Sequence, residues 1–169
     1  MEWSKLSDKK KSFITKDVIL SNTISAAFSQ AIVYRVYEEK PENKNQIQWD
    51  GQKKKFRENI GNYLVEIGEK YDPVNNDHSE RIQGFKEKIE NDATNNSILM
   101  NGQISFGRAQ KLVNMYLKYL WCLGKFDTPP HCPIDRCILK EIGLEDPPWT
   151  SPKFTKKEYE KAIKLCEIK

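Results

Sequence analysis

Residues 105–139 read SFGRAQKLVNMYLKYLWCLGKFDTPPHCPIDRCIL, and the pattern of this stretch decides the fold class. From Leu112 to Leu123 only Asn114 and Lys118 are strongly polar. Leu112, Val113, Met115, Tyr116, Leu117, Tyr119, Leu120, Trp121 and Leu123 surround the axis of a helix predicted over 106–123. A helix that is apolar on nearly every side belongs in the middle of a bundle. The same stretch carries three of the four cysteines and one of the two histidines.

Working outward, the other segments also carry helical spacing. A helix over 15–39, capped by Thr15, buries Val18, Ile19, Ile24, Ala27, Phe28, Ala31, Ile32 and Val36, and Pro41 closes it. Asp50 caps a second helix over 51–71, with Phe56, Ile60, Tyr63, Leu64 and Ile67 inward. A third, over 78–92, turns Ile82, Phe85 and Ile89 inward. Pro133 opens a short helix over 133–142 that Gly143 ends. Thr155 and Glu158 form a capping box for a last helix over 156–167. Residues 97–104 carry no firm assignment, and strand-like alternation is nearly absent. The expectation is an all-α protein: one compact bundle of about six helices around the buried helix 106–123. A single domain then spans 1–169, with 1–14 a charged, partly mobile lead-in.

Apolar residues make up 38% of the 169-residue chain and charged residues 31%, which is a polar but globular balance. The net charge of +4 permits a nucleic-acid partner without requiring one. The opening MEWSKLSDKKK has charge but no apolar run behind it, so no signal peptide is expected. No run approaches the roughly 18 apolar residues of a membrane span. Four cysteines without an export signal point to free thiols in a reducing cytoplasm.

The polar residues of the central helix then need partners, because a buried charge is either paired or opens into a cleft. Arg108, Lys111 and Lys118 share one stripe at helical spacing with Asn114 or Met115 and Cys122. Two readings remain open. The cations pair with acids of neighbouring helices or reach to the surface. Alternatively they form an anion site for a phosphate backbone. Lys53, Lys54, Lys55 and Arg57 pose the same choice on the second helix, between a solvated face and a phosphate-contacting patch. Asp135 falls in the first turn of its short helix, near N3, where a carboxylate complements the helix dipole and accepts backbone N–H bonds.

Gly107-Arg108-Ala109-Gln110-Lys111-Leu112-Val113-Asn114, then an apolar helix, then Cys132-Pro133-Ile134-Asp135-Arg136-Cys137, resembles the helix-hairpin-helix DNA glycosylase superfamily over residues 104–142. In that family a Gly-rich hairpin precedes a lysine at a helix start, and a V-D or P-V-D turn sets the catalytic aspartate. The resemblance implies that Gly107 matches the first hairpin glycine. It implies that Lys111 is the catalytic lysine attacking sugar C1′. Asp135 would stabilise the oxocarbenium-like centre or activate the nucleophile. A lysine attacks once deprotonated, which apolar surroundings and nearby cations favour. Arg108, Lys118 and Arg136 then become candidate nucleic-acid contacts, with double-stranded DNA the expected partner. Tyr116, Tyr119, Trp121 or Phe126 are candidates to line a pocket for an extruded base.

Cys122, His131, Cys132 and Cys137 invite a zinc reading, but they contain neither a C-x-x-C nor an H-x-x-x-H pair. No metal and no cofactor are expected, and a zinc-stabilised helical domain is the third alternative. A Cys132–His131 nucleophile pair lacks an orienting acid other than Asp135. His78, at a helix start, is expected to be solvated. The competing function is a non-catalytic helical protein-interaction module of a multi-component system. There the proline-rich segment 145–154 with Trp149, together with the basic last helix, meets a protein partner.

Overall fold

The computed structural model describes residues 22–32, 36–74, 77–128 and 130–168. The expected lead-in 1–14, the Thr15 cap, and Val18 and Ile19 lie outside the described residues. The described chain is all-α. Its helices are α1 (Thr23–Ala31), α2 (Gln46–Glu69), α3 (His78–Asn91), α4 (Ala93–Asn96), α5 (Phe106–Cys122), α6 (Arg136–Glu141) and α7 (Lys156–Ile168), with a 3₁₀ turn at Met100–Gly102. The one β-type pairing among the described residues is an isolated bridge between Tyr37 and Leu99.

Helix α5 lies at the centre, as its composition requires. It packs against α1, α2 and α3. Leu112, Val113 and Leu117 are fully enclosed, and Tyr116, Tyr119 and Leu120 are nearly so. Against them pack Ala27, Phe28 and Ala31 of α1, Phe56, Ile60 and Leu64 of α2, and Ile82, Phe85 and Ile89 of α3. Burying a single Leu or Ile contributes about 2 kcal/mol, so this one cluster dominates the stability.

Boundaries depart from expectation where backbone groups find other partners. The first helix was expected to reach residue 39, yet it ends at Ala31. Beyond it, Val36 C=O accepts from Met100 N at 2.8 Å and Glu38 N donates to Ile98 C=O at 2.9 Å. A backbone held by that tie cannot also complete helical bonds. The second helix starts at Gln46, not at 51, because Asn45 and Gln48 form a reciprocal capping box. Asp50 therefore sits inside the helix. Residues 97–104 resolve into the 3₁₀ turn, where Asn101 and Gly102 take φ of 55° and 66°.

The short helix α6 begins at Arg136 and not at Pro133, so Asp135 is its N-cap and not its N3 residue. Gly143, at φ 72°, ends the turn that follows. Thr155 N donates to Glu158 Oε2 at 3.0 Å and the two side chains also bond, which is one half of the expected capping box of α7. Residues 145–154 run irregularly over the start of α5. Gly107 allows this close approach, since a Cβ there would lie 1.6 Å from the Trp149 carbonyl oxygen.

Candidate functional site

Lys111 and Asp135, 24 residues apart, meet: Lys111 Nζ lies 3.1 Å from Asp135 Oδ2. The Lys111 side chain is 10% exposed and that of Asp135 32%, so the pair sits at the edge of the core. The two carboxylate oxygens divide their work. Oδ2 takes the ammonium, while Oδ1 accepts from Cys137 N at 3.0 Å and Ile138 N at 3.3 Å. Asp135 is thus an N-cap and an ion-pair partner at once, with both roles favouring a negative charge.

Trp149 covers the pair. The Lys111 ammonium stands 4.7 Å from the centre of its ring, an arrangement that contributes about 1–2 kcal/mol when water is largely excluded. The aromatic group at this lysine therefore comes from the proline-rich segment, not from the central helix. Of the aromatics proposed for a base pocket, Tyr116 and Phe126 line a separate cavity of about 670 Å³ with Tyr71 and Leu120. Tyr119 is buried, and Trp121 donates its indole N–H to the Asp127 carbonyl at 3.3 Å.

Trp149 also lines a cavity of about 370 Å³ with Arg136, Leu139, Glu145, Pro148 and Thr150. Thr150 lines a second cleft too, of about 560 Å³, whose charged members are Lys86, Arg108 and Lys156. Lys86 pairs with Glu90 at 2.7 Å, and Lys156 with Glu80 and Glu160. Burial works against the Arg108 charge and lowers its pKa from the usual value. The stripe expected on α5 is thus split. Arg108 faces one cleft, Lys111 faces Asp135, and Lys118 acts electrostatically on the Cys132 thiol.

Gly107 lies within the first turn of α5, and the positive φ angles that precede this helix are at Asn101 and Gly102, in the 3₁₀ turn. The residue matched to a hairpin glycine therefore serves the Trp149 approach.

Behind Lys111 runs a buried polar network that the sequence did not reveal. Gln110 Nε2 donates to the Ile134 carbonyl at 2.6 Å, and Ile134 N donates to Gln110 Oε1 at 3.1 Å. Asn114 Nδ2 donates to Gln110 Oε1 at 3.1 Å and Tyr159 Oη at 3.0 Å. Gln110, Asn114 and Tyr159 are all fully buried. The Asn114 oxygen accepts from His78 Nε2 at 2.6 Å, so that nitrogen carries the proton. Tyr159 then has its hydroxyl proton for His131 Nδ1, 3.1 Å away.

His78 is 3% exposed, contrary to the solvated position expected for it. It caps no solvent-facing turn but enters the core to meet Asn114, with the His131 ring centroid 4.6 Å from its own. Burial pulls its pKa down to about 4, so it stays neutral. Its Nδ1 is buried without a hydrogen-bond partner among the described residues. His131 is shifted down in the same direction, also by burial.

The thiols take no part in chemistry of the kind considered above. Cys122 is buried, Cys132 half-buried and Cys137 exposed, all as free thiols. Among the described residues no group of three His, Cys, Asp or Glu side chains is placed to hold a metal ion. Burial, reinforced by the neighbouring Cys166 thiol, pushes Cys132 up to about 12, which keeps it a neutral thiol and removes the Cys132–His131 nucleophile pair. Among the described residues no helix is long and apolar enough to cross a membrane.

No protein-family model matches the chain, and neither a curated protein nor a solved structure does.

Proposed function

We propose that this protein binds double-stranded DNA and acts on it as a base-excision N-glycosylase/lyase through Lys111 and Asp135. The observation that carries the reading is the 3.1 Å meeting of a nearly buried lysine with a helix-capping aspartate, beneath Trp149 and beside a cavity lined by Arg136. Lys111 at rest is an ammonium. For attack it passes a proton to the Asp135 carboxylate, the acceptor already in reach. The free amine then adds to sugar C1′ as the bond to the base breaks, the departing base takes the proton held by Asp135, and one proton of the new aminium passes to the ring oxygen as the C1′–O4′ bond opens. The resulting Schiff base permits strand cleavage. Returned to its charged form, Asp135 faces the positive sugar centre.

Arg108 and Arg136 line clefts that share Thr150, so a backbone crossing that ridge meets both cations. Lys118 is the third proposed phosphate contact. All four cysteines are free thiols, which fits action in the reducing cytoplasm.

Borohydride added to the protein on an abasic or base-damaged duplex should trap a covalent adduct, and Lys111→Ala should abolish it. An unchanged rate of base release in Lys111→Ala, with no adduct from the native chain, removes the enzymatic reading. Binding should weaken steeply as salt rises, because phosphate contacts release counterions. A protein partner in place of DNA, as an interaction module would have, leaves no such salt dependence.

A further inference from the structure

We infer that Gln110 is the positioning residue that sets the geometry between Lys111 and Asp135, an assignment that rests on reading those two as the working pair. Gln110 grips Ile134 while its chain neighbour Lys111 meets the next residue, Asp135. Each member of the pair therefore lies one peptide from the clamp. Displacing the clamp displaces both the cap of α6 and the carboxylate.

The chemistry demands an amide. Gln110 must accept from the Ile134 N–H and donate to the Ile134 carbonyl, and a primary amide carries an acceptor and a donor side by side. Methionine fills similar volume with neither group. The amide's orientation is locked, because Asn114 Nδ2 donates to the same Gln110 oxygen. Asn114 is held in turn by His78. Ile134 is fully buried, so the backbone being gripped is itself anchored in the core. Leaving those backbone groups unpaired forces the segment to move or to admit water.

The test uses the full-length, nitrogen-15-labelled protein and reads the Lys111 ammonium by proton–nitrogen NMR at low temperature. Lys111→Arg identifies its signal by deletion, and Asp135→Asn shows the position of an ammonium that has lost its partner. Gln110→Met should retain the helical circular dichroism yet move the Lys111 signal to the Asp135→Asn position. Adduct trapping on an abasic duplex should fall on the order of tenfold to a hundredfold. Gln110→Leu also lacks both groups, and it carries the test if the methionine variant does not fold. A folded Gln110→Met or Gln110→Leu protein with the native Lys111 signal overturns the assignment. The NMR signal reads geometry and the adduct reads chemistry. A native chain that traps nothing, yet loses its Lys111 signal in Gln110→Met, keeps Gln110 as the residue that sets the pair and sinks the reaction instead.

Discussion

Two basic regions of this protein look alike on paper and differ in space. Lys53, Lys54, Lys55 and Arg57 crowd the first half of α2, and two of them pair with acids on their own helix. Lys53 lies 3.7 Å from Asp50, and Lys54 lies 4.0 Å from Glu58, both within one turn of their own helix. Lys53 also rests over the Tyr37 and Trp49 rings, and Arg57 over Phe28. Lys111 shares α5 with Arg108 and Lys118, and its partner comes from 24 residues away. Clustered cations on a helix surface can pair within that surface, whereas a cation enclosed among apolar side chains needs a partner brought from elsewhere in the chain. Exposed pairs contribute about 0–1 kcal/mol each, while breaking a buried pair costs several times that.

Asp135→Ala tests that contrast most severely. It strands the Lys111 ammonium and uncaps α6 together, so chemical denaturation should show a loss of about 3 kcal/mol. A loss below about 1 kcal/mol would place Lys111 with the α2 cations, as a surface group that happens to touch an acid.

Acid should attack the Lys111 side of the molecule through His78. Its pKa is about 4 in the folded protein against 6.5 for an ordinary histidine, so between those values the unfolded chain binds more protons. The His78 contribution is therefore complete above about pH 6.5 and is lost as pH falls toward 4. The full span amounts to roughly 3 kcal/mol. His131, shifted down too, adds in the same direction. Denaturation curves from pH 7 to 4.5 should show this slope, and His78→Gln should flatten it. An equal slope in both proteins would assign the acid sensitivity to other groups.

Gly107→Ala sharpens the comparison at Trp149. The added methyl meets the Trp149 carbonyl, so the proline-rich segment must shift, at about 2 kcal/mol. The fluorescence of Trp149, isolated by comparison with Trp149→Phe, should move toward that of a solvated indole. The smallest effect is expected on α2, where Lys54→Ala should change stability by no more than about 0.5 kcal/mol.

Helical spacing located the core because α5 is apolar around its whole circumference and the flanking helices repeat at three and four. Start signals were less dependable. Thr155 with Glu158 capped as expected, whereas Asn45 with Gln48 displaced Asp50 as the second cap. Both sites offered plausible capping residues, and the choice depended on where the chain first turned. The end of α1 escaped local reasoning because the segment 98–100 claims the backbone of residues 36–38.

Of the candidate site, Lys111 and Asp135 were legible as chemistry-bearing residues, but their contact was not. Gln110 was passed over, Asn114 was read only as a member of the stripe and His78 was placed in solvent, because amides and a histidine at helical spacing carry no sign of burial. Trp149 was assigned to a partner-facing tail because prolines around it signal irregular backbone, not direction.

By itself, then, the sequence determined that the chain is helical, that one helix is its centre, and that a few polar residues on that helix need partners. Those facts follow from periodicity and from the cost of burying charge, which act between near neighbours or on composition alone. The tertiary structure decided who the partners are. Asp135 reaches Lys111 only because Gln110 and Asn114 hold the intervening loop by its backbone, and Trp149 arrives only because residue 107 lacks a side chain. Pairings across 24 residues depend on how loops close over a core, and no local pattern encodes that closure.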